Sequence, residues 1–455
     1  MIRTATATVL LALATPAFAA DWTLVSKIET PATQSDATRL KKGTADAANL
    51  NRFGFYSDLV FDAKTGYWYA LSDRGPGGGL IDYATRVQRL RIPYDAATGA
   101  IGQPVIDKTI LLSGEDQLPF NGLNPLWLNG DVATLGASFD PEGLAVGKGG
   151  HFYVADEYGP SVYEFTSSGQ FIRAFSTPNN LVARTANNML DYVNGRPTIV
   201  RGRQDNRGFE GITLNASGKK LYAVMQDPLV NEGGSNDGRR SRNVRVVEFD
   251  VESGAATAQY VYRLEPISAL NAIDPSTADD FSATNQGRSI GLSAIHALSD
   301  TDFLVLERDN RGLGVEVTAA PLHKRVYRIS LSGASDVSAV SLAGSNDLPA
   351  GVVAVGKAPE LDILAALHAA GATDIPEKLE GLAIGPRLAD GRHLILIGSD
   401  NDYSVTQSGA GEQFEVCVNR GTGERVSNVP LDDDCPAGLE RIPGTLISFA
   451  VDFSH

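Results

Sequence analysis

The sequence predicts an all-β fold, a β-propeller of four-stranded blades, with five blades counted and room for a sixth if one is degenerate. Three observations predict it. A short acid-bearing phrase recurs, a strand–turn–strand pattern follows each copy, and one spare strand stands at the mature N-terminus. Recurrence of one supersecondary unit is the signature of a repeat architecture, and four strands per unit separated by turn residues fit propeller blades.

The phrase reads Asp140-Pro141-Glu142-Gly143-Leu144, then Phe209-Glu210-Gly211-Ile212, then Leu379-Glu380-Gly381-Leu382. Each copy opens an apolar run, and a Gly-centred turn leads to a second run that ends on acids. These second runs are His151–Glu157, Leu221–Asp227 and Leu394–Asp400. A degenerate copy at Tyr56–Val60 leads to Trp68–Arg74. Another at Ile290–Ile295 leads to Phe303–Arg308 and lacks the first acid, with Ile290 or Ala294 in its place. From first to second acid the spacing is 15 residues for Asp58 to Asp73 and for Glu142 to Glu157, 17 for Glu210 to Asp227, and 20 for Glu380 to Asp400.

Two more strands extend each repeat. In the first they are Val87–Pro93 and Val105–Leu111, in the second Ser161–Phe165 and Phe171–Phe175, and in the third Val244–Asp250 and Gln259–Leu264. In the fourth they are Arg325–Leu331 and Val337–Leu342. The last repeat has a third strand, Thr445–Phe453, and then the sequence stops. Trp22–Ile28 is expected to supply its fourth strand and so close the ring, which leaves no open sheet edge to protect. Helix signals are few, and Pro359–Gly371 is the best of them. Residues 20–455 are expected to form a single domain.

Arg3, the apolar stretch from Val9 to Ala14 and the small-x-small Ala17-Phe18-Ala19 mark residues 1–19 as a signal peptide. No later stretch is apolar for long enough to span a bilayer as a helix, so an exported protein, periplasmic or secreted, is expected. Its net charge of −15 argues against nucleic acid, whose phosphates need a basic surface. In an exported chain, Cys417 and Cys435, close together in one Gly- and Asp-rich insertion, are expected to form a disulfide. The six histidines are scattered without zinc-ligand spacing.

The motifs Phe139–Leu144, Asp156-Glu157-Tyr158-Gly159-Pro160, Asn206–Gly211, Leu304–Asp309 and Glu380-Gly381-Leu382-Ala383, in that order, resemble the phytase-like domain family, described as "esterase-like activity of phytase". The resemblance runs from about residue 50 to the end. It implies a propeller, export, and phosphate-ester hydrolysis with calcium.

In an antiparallel hairpin the start of the first strand lies beside the end of the second. The acids should therefore gather at one mouth of the channel: Asp58, Glu142, Glu210 and Glu380 innermost, with Asp73, Asp156, Glu157, Asp227, Glu307 and Asp400 close by. Crowded carboxylates must protonate, pair with arginine or bind cations. Oxygen-only ligands suit Ca2+ or Mg2+, with Ca2+ the expected ion. The plainer reading is that the acids brace neighbouring turns through backbone amides. Arg74 and Arg308 sit among the acids, either as neutralising partners or as groups that take charge from a substrate oxyanion. No GxSxG or Ser/His/Asp arrangement is present, so any ester chemistry would use a metal-activated water. The expected partner is a small molecule, a phosphate ester first, and the protein is expected to be a monomer. Two other readings remain: a non-enzymatic propeller that binds a ligand or partner, and a calcium-dependent lactonase or carboxylic-ester hydrolase.

Overall fold

The computed structural model describes residues 20–38, 51–273, 280–316, 319–408 and 411–453; the segment read as a signal peptide, residues 1–19, lies outside them. Five four-stranded antiparallel sheets follow one another along the chain. Sheet I holds Asp58–Asp62, Tyr67–Leu71, Arg86–Arg91 and Val105–Leu111. Sheet II holds Pro141–Val146, Phe152–Asp156, Ser161–Phe165 and Phe171–Ala174. Sheet III holds Phe209–Leu214, Lys220–Met225, Asn243–Asp250 and Ala256–Arg263. Sheet IV holds Ile290–Ala297, Asp302–Asp309, Lys324–Ser330 and Gly356–Asp362. Sheet V holds Lys378–Arg387, His393–Asp400, Gly444–Asp452 and, from the other end of the chain, Asp21–Thr30. The last two pair antiparallel, with Trp22 opposite Val451 and Ile28 opposite Leu446. The N-terminal strand thus completes the last sheet, as its isolation in the sequence suggested.

The first strands of the sheets pack on one another. The first strand of sheet II lies against those of I and III, IV lies against III and V, and V lies against I. The glycines of the first two Glu-Gly pairs permit this approach. A Cβ on Gly143 would stand 2.8 Å from Ile212 N, and one on Gly211 would stand 2.9 Å from Ala294 Cα. Backbone cannot yield at such distances, so only glycine fits at either position. Buried aromatic and branched side chains fill the space between sheets, with Tyr222 and Phe303 edge to face at 4.7 Å and Tyr69 against Phe152 at 5.2 Å.

Two elements depart from expectation. The fourth strand of sheet IV is Gly356–Asp362, not Val337–Leu342. Val337 instead donates its N–H to Gln259 O at 2.7 Å, and Val337 and Leu342 pack on Val261 at the outer edge of sheet III. That edge offers both a free carbonyl row and an apolar partner, which a short apolar segment can meet without joining its own sheet. The expected helix over 359–371 is correspondingly shorter, at Ile363–Ala369, because Pro359 to Asp362 belongs to the strand. Asp362 caps the helix by accepting from Ala365 N at 3.0 Å.

Between the second and third strands of sheet V the chain makes an insertion with its own small sheet: Val405–Ser408, Glu412–Val418, Arg425–Pro430 and Glu440–Arg441. Cys417 and Cys435 are joined across it, with Cα atoms 5.7 Å apart.

Candidate functional site

The register of the first strands decides where the acids point. In sheet II, Pro141 pairs with Asp156 and Gly143 with Ala155, so Glu142 is left out of the ladder as a bulge. The same skip isolates Glu210 in sheet III and Glu380 in sheet V. A bulge re-aims the extra side chain, and these three carboxylates converge on one cavity of about 280 Å³. In sheet IV the bulged residue is Ser293. The missing first acid is therefore replaced by Ser293, and neither Ile290 nor Ala294 takes its place.

Among the described residues, eight carboxylates and four cations line the cavity, a formal excess of four negative charges. Asp73, Arg74, Glu142, Glu157, Glu210, Arg308 and Glu380 are among them, as their place in the repeats suggested; Asp400 adjoins it through Lys378 and Asp402. Arg308 anchors the centre. Its Nη2 donates to Glu380 Oε1 at 2.5 Å and stands 3.9 Å from Glu210 Oε1, while its Nε donates to Ser293 Oγ at 2.8 Å. Gln226 Nε2 holds the same Glu210 oxygen at 2.6 Å. Arg74 Nη1 donates to Asp140 Oδ2 at 2.7 Å and also bonds Asn206. Lys378 Nζ donates to Asp402 Oδ1 at 2.6 Å and lies 3.6 Å from Asp400 Oδ2.

These cations do not satisfy the acids. Asp140 Oδ1, Glu210 Oε2, Glu380 Oε2 and Asp400 Oδ2 are buried without a hydrogen-bond donor among the described residues. Burial first, and neighbouring carboxylates second, push Asp140, Glu142, Glu210 and Asp400 well above the usual carboxylate range. Burial raises Glu377 to about 7. Two groups have oxygens within 4.8 Å of one another: Asp73, Asp140 and Glu142, and Asp73, Asp400 and Asp402. The donors in these two groups are all carboxylate oxygens, with no His or Cys among the described residues lining the cavity, so the set fits a hard divalent cation such as Ca2+ or Mg2+.

Four of the expected acids lie elsewhere. Asp58 has no bulge before it and pairs with Leu71, which puts it one residue past the position of Glu142. Its carboxylate accepts from Leu144 N at 2.7 Å and Leu59 N at 2.8 Å and ties sheet I to sheet II. Asp156 accepts from the amides of Asp140, Tyr158 and Gly159, at 3.0, 3.1 and 2.7 Å, and braces a turn; burial lifts it to about 7. Asp227 lies behind the cavity wall against Arg207 at 3.2 Å, and burial lifts it to about 6. Glu307 faces away. It takes Tyr262 Oη at 2.6 Å, Glu265 N at 2.9 Å and Lys357 Nζ at 2.8 Å, and it shares a hydrogen with His323 Nε2 at 2.7 Å. Burial alone would raise Glu307, but Lys357 and His323 outweigh it and hold the carboxyl at about 2.

The reason is strand alternation. Successive side chains point to opposite faces, and the pairing of Leu292 with Glu307 makes Arg308 the counterpart of Glu157. Likewise Gln226, one residue short of Asp227, takes that place in sheet III. Sequence reasoning missed Asp140, Glu377, Lys378 and Asp402. Asp140 stands inside the recurring phrase and was within reach. Glu377, Lys378 and Asp402 flank the last repeat at strand ends, where no periodicity marks them.

With this geometry in view, the chain belongs to the family described as "Phytase-like: Esterase-like activity of phytase", whose model matches residues 51–403. It is 30% identical over 417 residues to a protein of Arthroderma benhamiae described as an uncharacterized secreted protein, with 76% of this chain and 79% of that one covered. Solved structures with likeness to it include hydrazine synthase of Kuenenia stuttgartiensis, at TM-score 0.29 and 13% identity over 84% of this chain and 96% of that one. A luciferin-regenerating enzyme matches at TM-score 0.30 and 9% identity, over 87% and 92%. Likenesses this distant do not guide function. No helix among the described residues is long and apolar enough to cross a membrane.

Proposed function

We propose that this protein is an exported hydrolase of phosphate esters that works with a bound divalent cation, Ca2+ first, in the carboxylate cavity. We read the five sheets as five blades of one closed propeller domain over residues 20–455, preceded by a signal peptide at 1–19. The mutual packing of the first strands and the pairing of the two chain ends support that architecture. The family to which the chain belongs supports ester hydrolysis.

The observation that carries the functional reading is the set of buried carboxylate oxygens without donors beside arginines that are only partly engaged. Asp73 with Asp140 and Glu142 would hold the cation, and Glu210, Glu380, Asp400 and Asp402 would complete its surroundings. When bound, such a cation supplies Lewis-acid polarisation of the ester. Arg74 and Arg308 face the same cavity, and Arg74 Nε is buried without an acceptor. Their forks would orient the phosphoryl group and take up charge as the bond to the leaving oxygen breaks. Their ion pairs with Asp140 and Glu380 hold both guanidinium groups in place before substrate arrives.

The test is a metal-defined assay on purified mature protein, with elemental analysis of what co-purifies. Phosphate release from simple phosphomonoesters should vanish on chelation and return with Ca2+ or Mg2+. Turnover of lactones without phosphate release, or binding without turnover of either, would overturn the reading.

A further inference from the structure

The chain leaves sheet V for the insertion through a turn of left-handed backbone. Asp402, Tyr403 and Ser404 have φ of +48, +58 and +58°. None is glycine, and a Cβ makes this region costly for each of them. Such backbone persists only where its surroundings over-determine it, and it gathers at functional sites. Here the surroundings hold it on several sides. Asn401 Oδ1 accepts from Tyr403 N at 3.0 Å, and its Nδ2 donates to Ile442 O at 2.7 Å. Ser404 Oγ donates to Val416 O at 2.7 Å and accepts from Ile442 N at 2.9 Å. Arg52 Nη1 donates to Tyr403 O at 3.2 Å and to the buried Glu415 Oε2 at 3.1 Å. The buried Tyr403 ring packs edge to face on Tyr83 at 5.5 Å.

Of the three residues in this turn, only Asp402 lines the acidic cavity. Its carboxylate accepts from Lys378 Nζ at 2.6 Å, and its N–H donates to Asp400 Oδ1 at 2.9 Å. That leaves Asp400 Oδ2 buried without a donor among the described residues, in the group that Asp400 forms with Asp73 and Asp402. A return of φ to negative values would rotate the Asp402 side chain about its N–Cα bond and out of that group. We infer that Asn401 and Ser404 are positioning residues for the cation: their side chains hold the left-handed turn that keeps Asp402 beside Asp73 and Asp400. The inference rests on the cation reading of the cavity, and it is tested by metal binding without turnover.

The experiment is calorimetric titration of Ca2+ into chelator-treated mature protein. Ser404→Ala loses the anchoring hydroxyl and keeps the Cβ, so the turn relaxes and Ca2+ binding should weaken about tenfold, the scale of one residue's left-handed penalty. Ser404→Gly loses the same hydroxyl but adopts positive φ freely, so its affinity should stay within about twofold of wild type. A purely structural serine predicts the reverse, since glycine costs the fold at least as much as alanine. Asp402→Asn should weaken binding by itself, and adding Ser404→Ala to it should change nothing further, because the serine acts through Asp402. If Ser404→Ala fails to fold, Asn401→Ala, which takes the acceptor from Tyr403 N, should show the same tenfold loss. Wild-type affinity in the alanine variant, equal losses for alanine and glycine, or additive losses with Asp402→Asn would each overturn the positioning role while the cation site stands. A wild-type protein that binds no Ca2+ would remove the cation reading and this inference with it.

Discussion

Glu142, Glu210 and Glu380 meet because one extra residue in each first strand turns the side chain off the ladder. None of the three has enough donors to be a settled structural carboxylate: Glu210 and Glu380 each leave an oxygen bare, and burial pushes all three carboxyls up. Glu210→Gln should therefore lower bound Ca2+ per chain, read by elemental analysis, with the melting temperature unchanged or slightly raised. A fall in melting temperature at constant metal content would make Glu210 a brace. Glu307 behaves in the opposite way. Its carboxyl is held at about 2 against an ordinary value of 4.5, so its contribution is fully present above pH 4.5 and is lost as pH falls from there towards 2. The full shift corresponds to on the order of 3 kcal/mol. Wild type should exceed Glu307→Gln in stability by about that amount at neutral pH, and the gap should close across this acid window; a gap independent of pH would refute the account.

At the scale of elements, the insertion after Asp400 forms one wall of the cavity. Asp402, Val405, Thr406 and Gln407 line it, and the Gly-rich loop after Arg74 lies against Gln413. The disulfide closes only the outer part of this insertion, from 417 to 435. In the chain-entropy view such a loop contributes on the order of 3 kcal/mol, acting on the insertion first. Replacing both cysteines with serine should speed amide exchange across 411–443 and leave the main melting transition nearly in place. A main transition displaced as far as the insertion's own would show that the insertion is part of the cooperative core. Sheet IV teaches a different lesson. Its outer strand came from a segment that reads as the start of a helix, because the choice between Val337–Leu342 and Gly356–Asp362 depended on which edge was free in space.

For the whole molecule, the pairing of Asp21–Thr30 with Gly444–Asp452 joins the two chain ends over nine pairs. Trp22 packs edge to face on Phe449 at 5.8 Å, and its Nε1 donates to Glu360 of sheet IV at 3.2 Å. Removing residues 20–30 would strip a strand's ladder bonds, at about 1 kcal/mol each, and the apolar cover of sheet V. The melting temperature should fall by on the order of 10 °C, with loss of protection in sheets I, IV and V together. A truncated protein that melts like the intact one would sink the idea of a closed ring.

The sequence by itself determined the five repeats, the first strands with their Glu-Gly pairs, the joining of the two ends and the pairing of Cys417 with Cys435. The repeats and their Glu-Gly pairs rest on local periodicity and turn chemistry, which act over a few residues; the joining of the ends follows from the strand missing in the last repeat, and the disulfide from two lone cysteines in one insertion of an exported chain. Only the tertiary structure decided which acids share a cavity. A single bulge, or its absence, moves a side chain to the other face of its strand. The missing bulge turned Asp58 into a brace, strand alternation made Asp156, Asp227 and Glu307 braces or ion pairs, Ser293 took an acid's place, and Asp140 and Asp402 came together from segments far apart in the chain.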